Sequence, residues 1–287
     1  MGAVTSLLTL ASIRIGIDPI AFSLGRVDIH WYGIMYAVAI YFGVEVAKRY
    51  VSAFQADEQV LWDFLPWAIA AGLIGGRLYY VVQNRQSYYL AHPQHILAFW
   101  EGGMAFFGAI FAVLVATIVF ARISRAALLP MLDVAAIFAA AGQPIGRIGN
   151  IINGDILGSP TSLPWGTIYT NPHSFAPQLG VAYQPAAAYE IICNILLLGV
   201  LYLVLHRWRP PGLAAGLYVL GYSITQFVVF FWRDNSIAAL GLKQAQLTAI
   251  VTLVLSIAFI AALVINRRKG SDNTGRPVDI DLEPREA

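Results

Sequence analysis

The stretch Gly146-Arg147-Ile148-Gly149-Asn150-Ile151-Ile152-Asn153-Gly154-Asp155 gathers a guanidinium, two amides and a carboxylate within ten residues. It follows an apolar run that ends in Ala139-Ala140-Ala141-Gly142-Gln143-Pro144. A guanidinium is a planar fork of donors that matches phosphate bidentately, and the amides beside it can both donate and accept. At membrane depth an arginine is costly unless it meets an anion, which makes an intramembrane ionisable residue a functional candidate. Pro144 and the four glycines predict that the helix breaks here. Non-helical backbone survives at that depth only beside protein or a water-filled cavity. A phosphate-bearing lipid headgroup fits this set of groups. The bland alternative is an arginine tied to helix-end carbonyls, with Asn150 capping the broken helix.

The elements that must position these residues follow from composition. Of 287 residues 58% are hydrophobic and only 12% charged, and the mean hydropathy is +0.66, whereas about a quarter of the residues in a soluble domain carry charge. A polytopic membrane protein is expected, and a net charge of +2 gives no indication of nucleic acid. Seven stretches approach the ~20 residues that cross a bilayer: 31–48, 60–82, 103–121, 127–144, 186–206, 212–232 and 246–266. Lys48 and Arg49, Arg122 and Arg125, Arg207 and Arg209, and Arg267-Arg268-Lys269 follow the odd-numbered spans. The positive-inside rule makes that side cytoplasmic. The amino terminus is then outside, as is the 145–186 loop, whose Trp165, Tyr169 and prolines predict a small extracytoplasmic head. The fold class is therefore all-α integral membrane, a bundle of about seven transmembrane helices carrying that head. Residues 1–30 form an interfacial N-terminal segment, 31–266 the transmembrane domain, and 267–287 a disordered cytoplasmic tail. Residues 1–13 lack the basic start of a cleavable signal peptide. The single cysteine, Cys193, lies in an apolar run and reads as a buried, inert thiol.

The decapeptide resembles the signature of the bacterial prolipoprotein diacylglyceryl transferases, which runs approximately Gly-Arg-(Ile/Leu)-Gly-Asn-Phe-(Ile/Leu)-Asn-Gly-Glu. Only Ile151 and Asp155 depart from it. Similar pieces occur in the family's order across about residues 20–265: His30 to Tyr36, Gly75-Gly76-Arg77-Leu78, Gly102 to Phe106, Gln184-Pro185 through Tyr189-Glu190, and Gly216-Leu217 through Arg233. The resemblance implies a multi-pass enzyme of the bacterial cytoplasmic (inner) membrane. Its partners would be phosphatidylglycerol and prolipoprotein signal peptides with a lipobox cysteine. The thiol displaces glycerol phosphate and a thioether forms. Neither a cofactor nor a metal is implied; His92 and His95 have no apparent third ligand.

Tyr32, Arg147 and Asn150 are the catalytic candidates, Arg147 as phosphate clamp and Tyr32 as the match to an essential family tyrosine. Without the resemblance, Trp31 and Tyr32 read as an interfacial aromatic belt. Arg77, Gly146, Gly149, Asn153, Gly154, Asp155, Glu190, Gln226 and Arg233 are the substrate-binding candidates. Arg77 has a snorkelling alternative. Glu190, a carboxylate in an apolar span, is expected to face the interior and pair, with an arginine as candidate partner. Three departures bear on the chemistry. Phe107 stands where the family usually has histidine, Gln184 where it has another, and Gln226 and Phe230 where it has an arginine and a glutamate in the sixth span. Arg233 follows Gln226 by seven positions, about 10 Å along a helix, and is not expected to take its place. The competing reading is a non-catalytic or altered-substrate paralogue that binds an anionic phospholipid. A small-molecule transporter shares broken helices and midplane charges, but no internal repeat is visible.

Overall fold

Apolar runs bounded by basic clusters, Pro and Gly become long helices. The computed structural model of the protein describes residues 12–25, 27–83, 86–98 and 103–274. Its helices are α1 (Trp31–Val51), α2 (Glu58–Gln83), the short α3 (Gln86–Ala91), α4 (Phe106–Ser124), α5 (Leu128–Asn153), α6 (Ala186–Arg207), α7 (Leu213–Val229) and α8 (Gln244–Thr274). Each of the seven expected stretches coincides with a helix. Glu58–Gln83, Leu128–Asn153, Ala186–Arg207 and Gln244–Arg267 are long and apolar enough to cross a membrane, and Gly108–Ser124 and Leu213–Val229 are shorter apolar helices. Leu196, Leu203, Val254 and Leu255 are each at least 60% exposed, as suits helices whose outer faces meet lipid rather than water. The architecture is that of a helical membrane protein.

Chain contacts divide the protein into two compact units, residues 51–134 and residues 1–50 with 135–287. In the first, α2 packs on α4 at a close crossing. A Cβ added to Gly75 would lie 2.2 Å from Ala112 Cβ, and one added to Gly108 would lie 2.2 Å from Tyr79 Cβ. Phe64, Phe120, Ala121 and Met131 form a buried cluster in this unit.

The second unit holds the signature. Here α5 contradicts the expected break: the helix is continuous through Pro144 to Asn153. Its glycines serve packing instead. A Cβ on Gly142 would lie 2.9 Å from Ala39 O, and one on Gly149 would lie 3.1 Å from Tyr32 Cα, so α5 and α1 approach at small-residue surfaces as membrane helices do. The helix ends at Asn153, with Gly154 left-handed at φ +77° and its N–H on Asn150 O at 2.8 Å. The loop expected from 145 therefore starts at 154.

Short strands were not foreseen. β1 (Ile13–Ile15) pairs parallel with β4 (Thr167–Tyr169), Ile13 opposite Thr167, and β4 pairs antiparallel with β5 (Ala182–Tyr183). Residues of the N-terminal segment and of the 154–185 loop thus form one small sheet. Two hairpins form separate two-stranded sheets, β2 (Ile20–Leu24) with β3 (Val27–His30), and β6 (Ile237–Ala239) with β7 (Leu242–Lys243). At the other end, α8 continues past 266 to Thr274, so the expected tail begins as helix; residues 275–287 lie outside the described residues.

Candidate active site

Glu190 sits on the second turn of α6 and is fully buried, between two guanidinium groups. Arg147, in the last turns of α5, brings its Nε within 2.6 Å of Glu190 Oε2, and Arg233 brings Nη1 within 3.5 Å of Oε1. Neither Arg147 Nε nor Glu190 Oε2 has a hydrogen-bond partner: the N–H is not aimed at the oxygen, and the contact is ionic rather than a directed hydrogen bond. Arg233 Nε is likewise buried without a partner. Two cations share the fully buried Glu190 carboxylate, and the Asp155 carboxylate, reached through Asn150, supplies a second negative charge.

Asn150 extends the cluster. Its Oδ1 accepts from Arg147 Nη1 at 3.1 Å, and its Nδ2 donates to the Asp155 carboxylate at 3.1 Å. The amide therefore orients both groups, and it is bonded side chain to side chain rather than capping the helix. Asn153 is buried with Oδ1 unpartnered, and the Gln226 Nε2 is in the same condition. Tyr32 packs its ring 4.6 Å from Tyr36, the residue whose ring lies against Gly146, so Tyr32 stands on the α1 face that the signature glycines admit. A cavity of about 150 Å³ opens beside this group, lined by Gly154, Asp155 and Gly158 on one side and by Arg233, Asp234 and Asn235 on another.

Arg233 reaches Glu190 because α7 stops at Val229 and the chain turns, with Phe231 and Trp232 donating back to Val228 O and Val229 O. The expectation that it lies too far along the helix from Gln226 assumed that the helix continues. Its guanidinium also lies 5.0 Å from the centre of the Phe230 ring. Gly158, which sequence reasoning missed, pins the same turn: Gly158 bridges to Arg233, and a Cβ there would lie 2.3 Å from Trp232 O. Ser159 N–H donates to that carbonyl at 2.9 Å. Tyr222 was also missed; it faces the Arg147 guanidinium, and its position four before Gln226, on the same helix face, was the available signal. Gln184 is held by Tyr189, whose hydroxyl donates to Gln184 Oε1 at 2.7 Å and accepts from Trp165 Nε1 at 2.9 Å.

Arg77 belongs to the other unit. It is buried rather than snorkelling, and its guanidinium donates to the carbonyls of His95, Ile96 and Gly103. The Phe107 side chain lies outside the described residues.

Residues 19–262 match the family model described as prolipoprotein diacylglyceryl transferase. The chain belongs to that family. Among its relatives is the phosphatidylglycerol–prolipoprotein diacylglyceryl transferase of Cupriavidus metallidurans, 36% identical over 80% of this chain and 86% of that protein. Those of Cupriavidus necator and Geobacter sulfurreducens are each 35% identical, over 91% and 88% of this chain and 97% of each relative. Within the family this member is a membrane enzyme of the phosphatidylglycerol-dependent diacylglyceryl transferase type.

Proposed function

We propose that the protein transfers the diacylglyceryl group of phosphatidylglycerol to the lipobox cysteine thiol of a prolipoprotein. The sulfur attacks the glyceryl carbon, the C–O bond to phosphate breaks, and the thiol proton passes to the departing glycerol phosphate. The observation that carries this reading is the Arg147–Glu190–Arg233 cluster, in which two guanidinium groups share one fully buried carboxylate and Arg233 Nε has no hydrogen-bond partner. Negative charge builds on the phosphate oxygen as the C–O bond breaks, before the proton reaches it, and preorganised cations favour that charge in the transition state. Asn150 orients Arg147, Asn153 offers an acceptor, and Tyr32 offers a phenol. In this reading the seven long helices span the bacterial inner membrane. The amino terminus, the small sheet and the cluster face outward, and the carboxyl end is cytoplasmic.

Gln226 and Phe230 favour one second reading, a paralogue that binds the anionic lipid without transferring it. Complementation of a transferase-depleted strain, scored by lipidation of a reporter prolipoprotein, separates the two. Lipidated reporter above background is expected. Background lipidation by folded, phosphatidylglycerol-binding protein would leave the lipid-binding paralogue as the function.

A further inference from the structure

The turn that carries Arg233 has no helix to fix it, yet four of its neighbouring carbonyls are held from outside. Ser159 N–H takes Trp232 O. From the start of α8, Gln246 Nε2 donates to Phe227 O at 3.2 Å, and from the end of β7, Lys243 Nζ donates to Phe230 O at 2.7 Å and to the carbonyl of Arg233 itself. Lys243 is fixed in turn, since its own N–H donates to Gln246 Oε1 at 3.1 Å and Gln246 is buried. The last carbonyls of a helix have no partner within it, and a lysine there satisfies them while complementing the negative end of the dipole. Here the ammonium does more than cap, because it joins Phe230, whose ring faces the Arg233 guanidinium, to the backbone of Arg233. We propose that Lys243 is a positioning residue for Arg233, clamping the turn so that the guanidinium meets the phosphate of the anionic lipid beside Glu190. This rests on the reading of Arg233 as a phosphate ligand.

The test measures binding of dioctanoyl phosphatidylglycerol to the purified full-length protein, with dioctanoylglycerol as the phosphate-free control, for Lys243→Met, Lys243→Arg, Arg233→Ala and the Lys243→Met/Arg233→Ala double variant. Lys243→Met should weaken phosphatidylglycerol binding about tenfold, the size of effect expected from losing a hydrogen bond to a charged group, and leave dioctanoylglycerol unchanged. Lys243→Arg should restore most of it. The double variant should bind no more weakly than Arg233→Ala alone, whereas a general loosening of the fold would act equally in both backgrounds. If Lys243→Met does not fold, Lys243→Gln, which keeps a donor, takes its place in the cycle. Wild-type binding by the lysine variant, or an undiminished effect in the Arg233→Ala background, overturns the positioning role and leaves the lipid-binding reading intact. Wild-type binding by Arg233→Ala overturns Arg233 as a phosphate ligand and the role of Lys243 with it.

Discussion

At the scale of single residues, the electrostatics of the site turn on Glu190. Removing its charge leaves the Arg147 and Arg233 guanidinium groups facing each other in a buried place, and breaking a buried pair from one side destabilises by about 3–5 kcal/mol. Glu190→Gln should therefore lower the melting temperature, and added phosphatidylglycerol should raise it by more than it raises that of wild type, because the lipid supplies the missing negative charge. Equal lipid-induced shifts in thermal melts of the two proteins would show that the phosphate does not reach these arginines. Arg147→Ala should abolish transfer, and Arg147→Lys should keep only a small part, since a lysine retains the charge but not the fork. Reporter lipidation per folded enzyme measures both. That Glu190 would face the interior and meet an arginine was legible because an isolated charge in an apolar segment must find its opposite; that Arg147 is one of its partners was not. Nor was Arg233, because a helical rise was applied across residues that turn.

At the scale of elements, the signature is a helix end packed through glycine rather than a broken loop. A proline inside a helix removes one hydrogen bond and strains the preceding turn, which reads in sequence as a stop; in α5 neighbouring packing overrides it. What composition does not reveal is the partner surface, and the Gly142 and Gly149 spacing has meaning only once Ala39 and Tyr32 are seen against it. The turn after α7 gives a sharper case. Gly158→Ala should displace Trp232 and Arg233 and reduce lipid binding at least tenfold, while Gly199→Ala, with nothing within 4 Å of the new methyl, should bind as wild type. The small sheet adds a pH dependence. The Ile20 N–H, and after it the His173 ring, hold the Asp18 carboxyl below its ordinary value, so this contribution is present above the unfolded pKa and lost as pH falls through the lower folded one. Burial pushes Tyr169, whose hydroxyl donates to Ile151 O, up to about 12; its contribution is present below about 10 and lost as pH rises towards 12. Hydrogen exchange of residues 13–15 should accelerate at both extremes, and Asp18→Asn and Tyr169→Phe should each remove one limb.

At the scale of the whole molecule, helix number and position were legible because apolar length and basic clusters are one-dimensional signals, whereas the parallel pairing of β1 with β4 joins residues more than 150 apart and leaves no local pattern. Orientation rests on which cations are free to act as topological signals. Arg77, Arg147, Arg233 and Lys243 are engaged with carbonyls or with Glu190 inside the protein. By contrast, Arg49, Arg122 and Arg207 lie in the last turns of α1, α4 and α6, and Arg125 directly follows α4, beside short connections where the rule operates. Reporter fusions after Arg209 and after Pro172 should therefore report opposite sides of the membrane, cytoplasmic and external. The same logic predicts that replacing Arg207 and Arg209 by glutamine weakens the inside signal of that loop without disturbing the cluster, so lipid binding by correctly inserted protein should be unchanged while the fraction inserted correctly falls. Both fusions on one side would remove the seven-span arrangement and, with it, the outward placement of Arg147, Glu190 and Arg233.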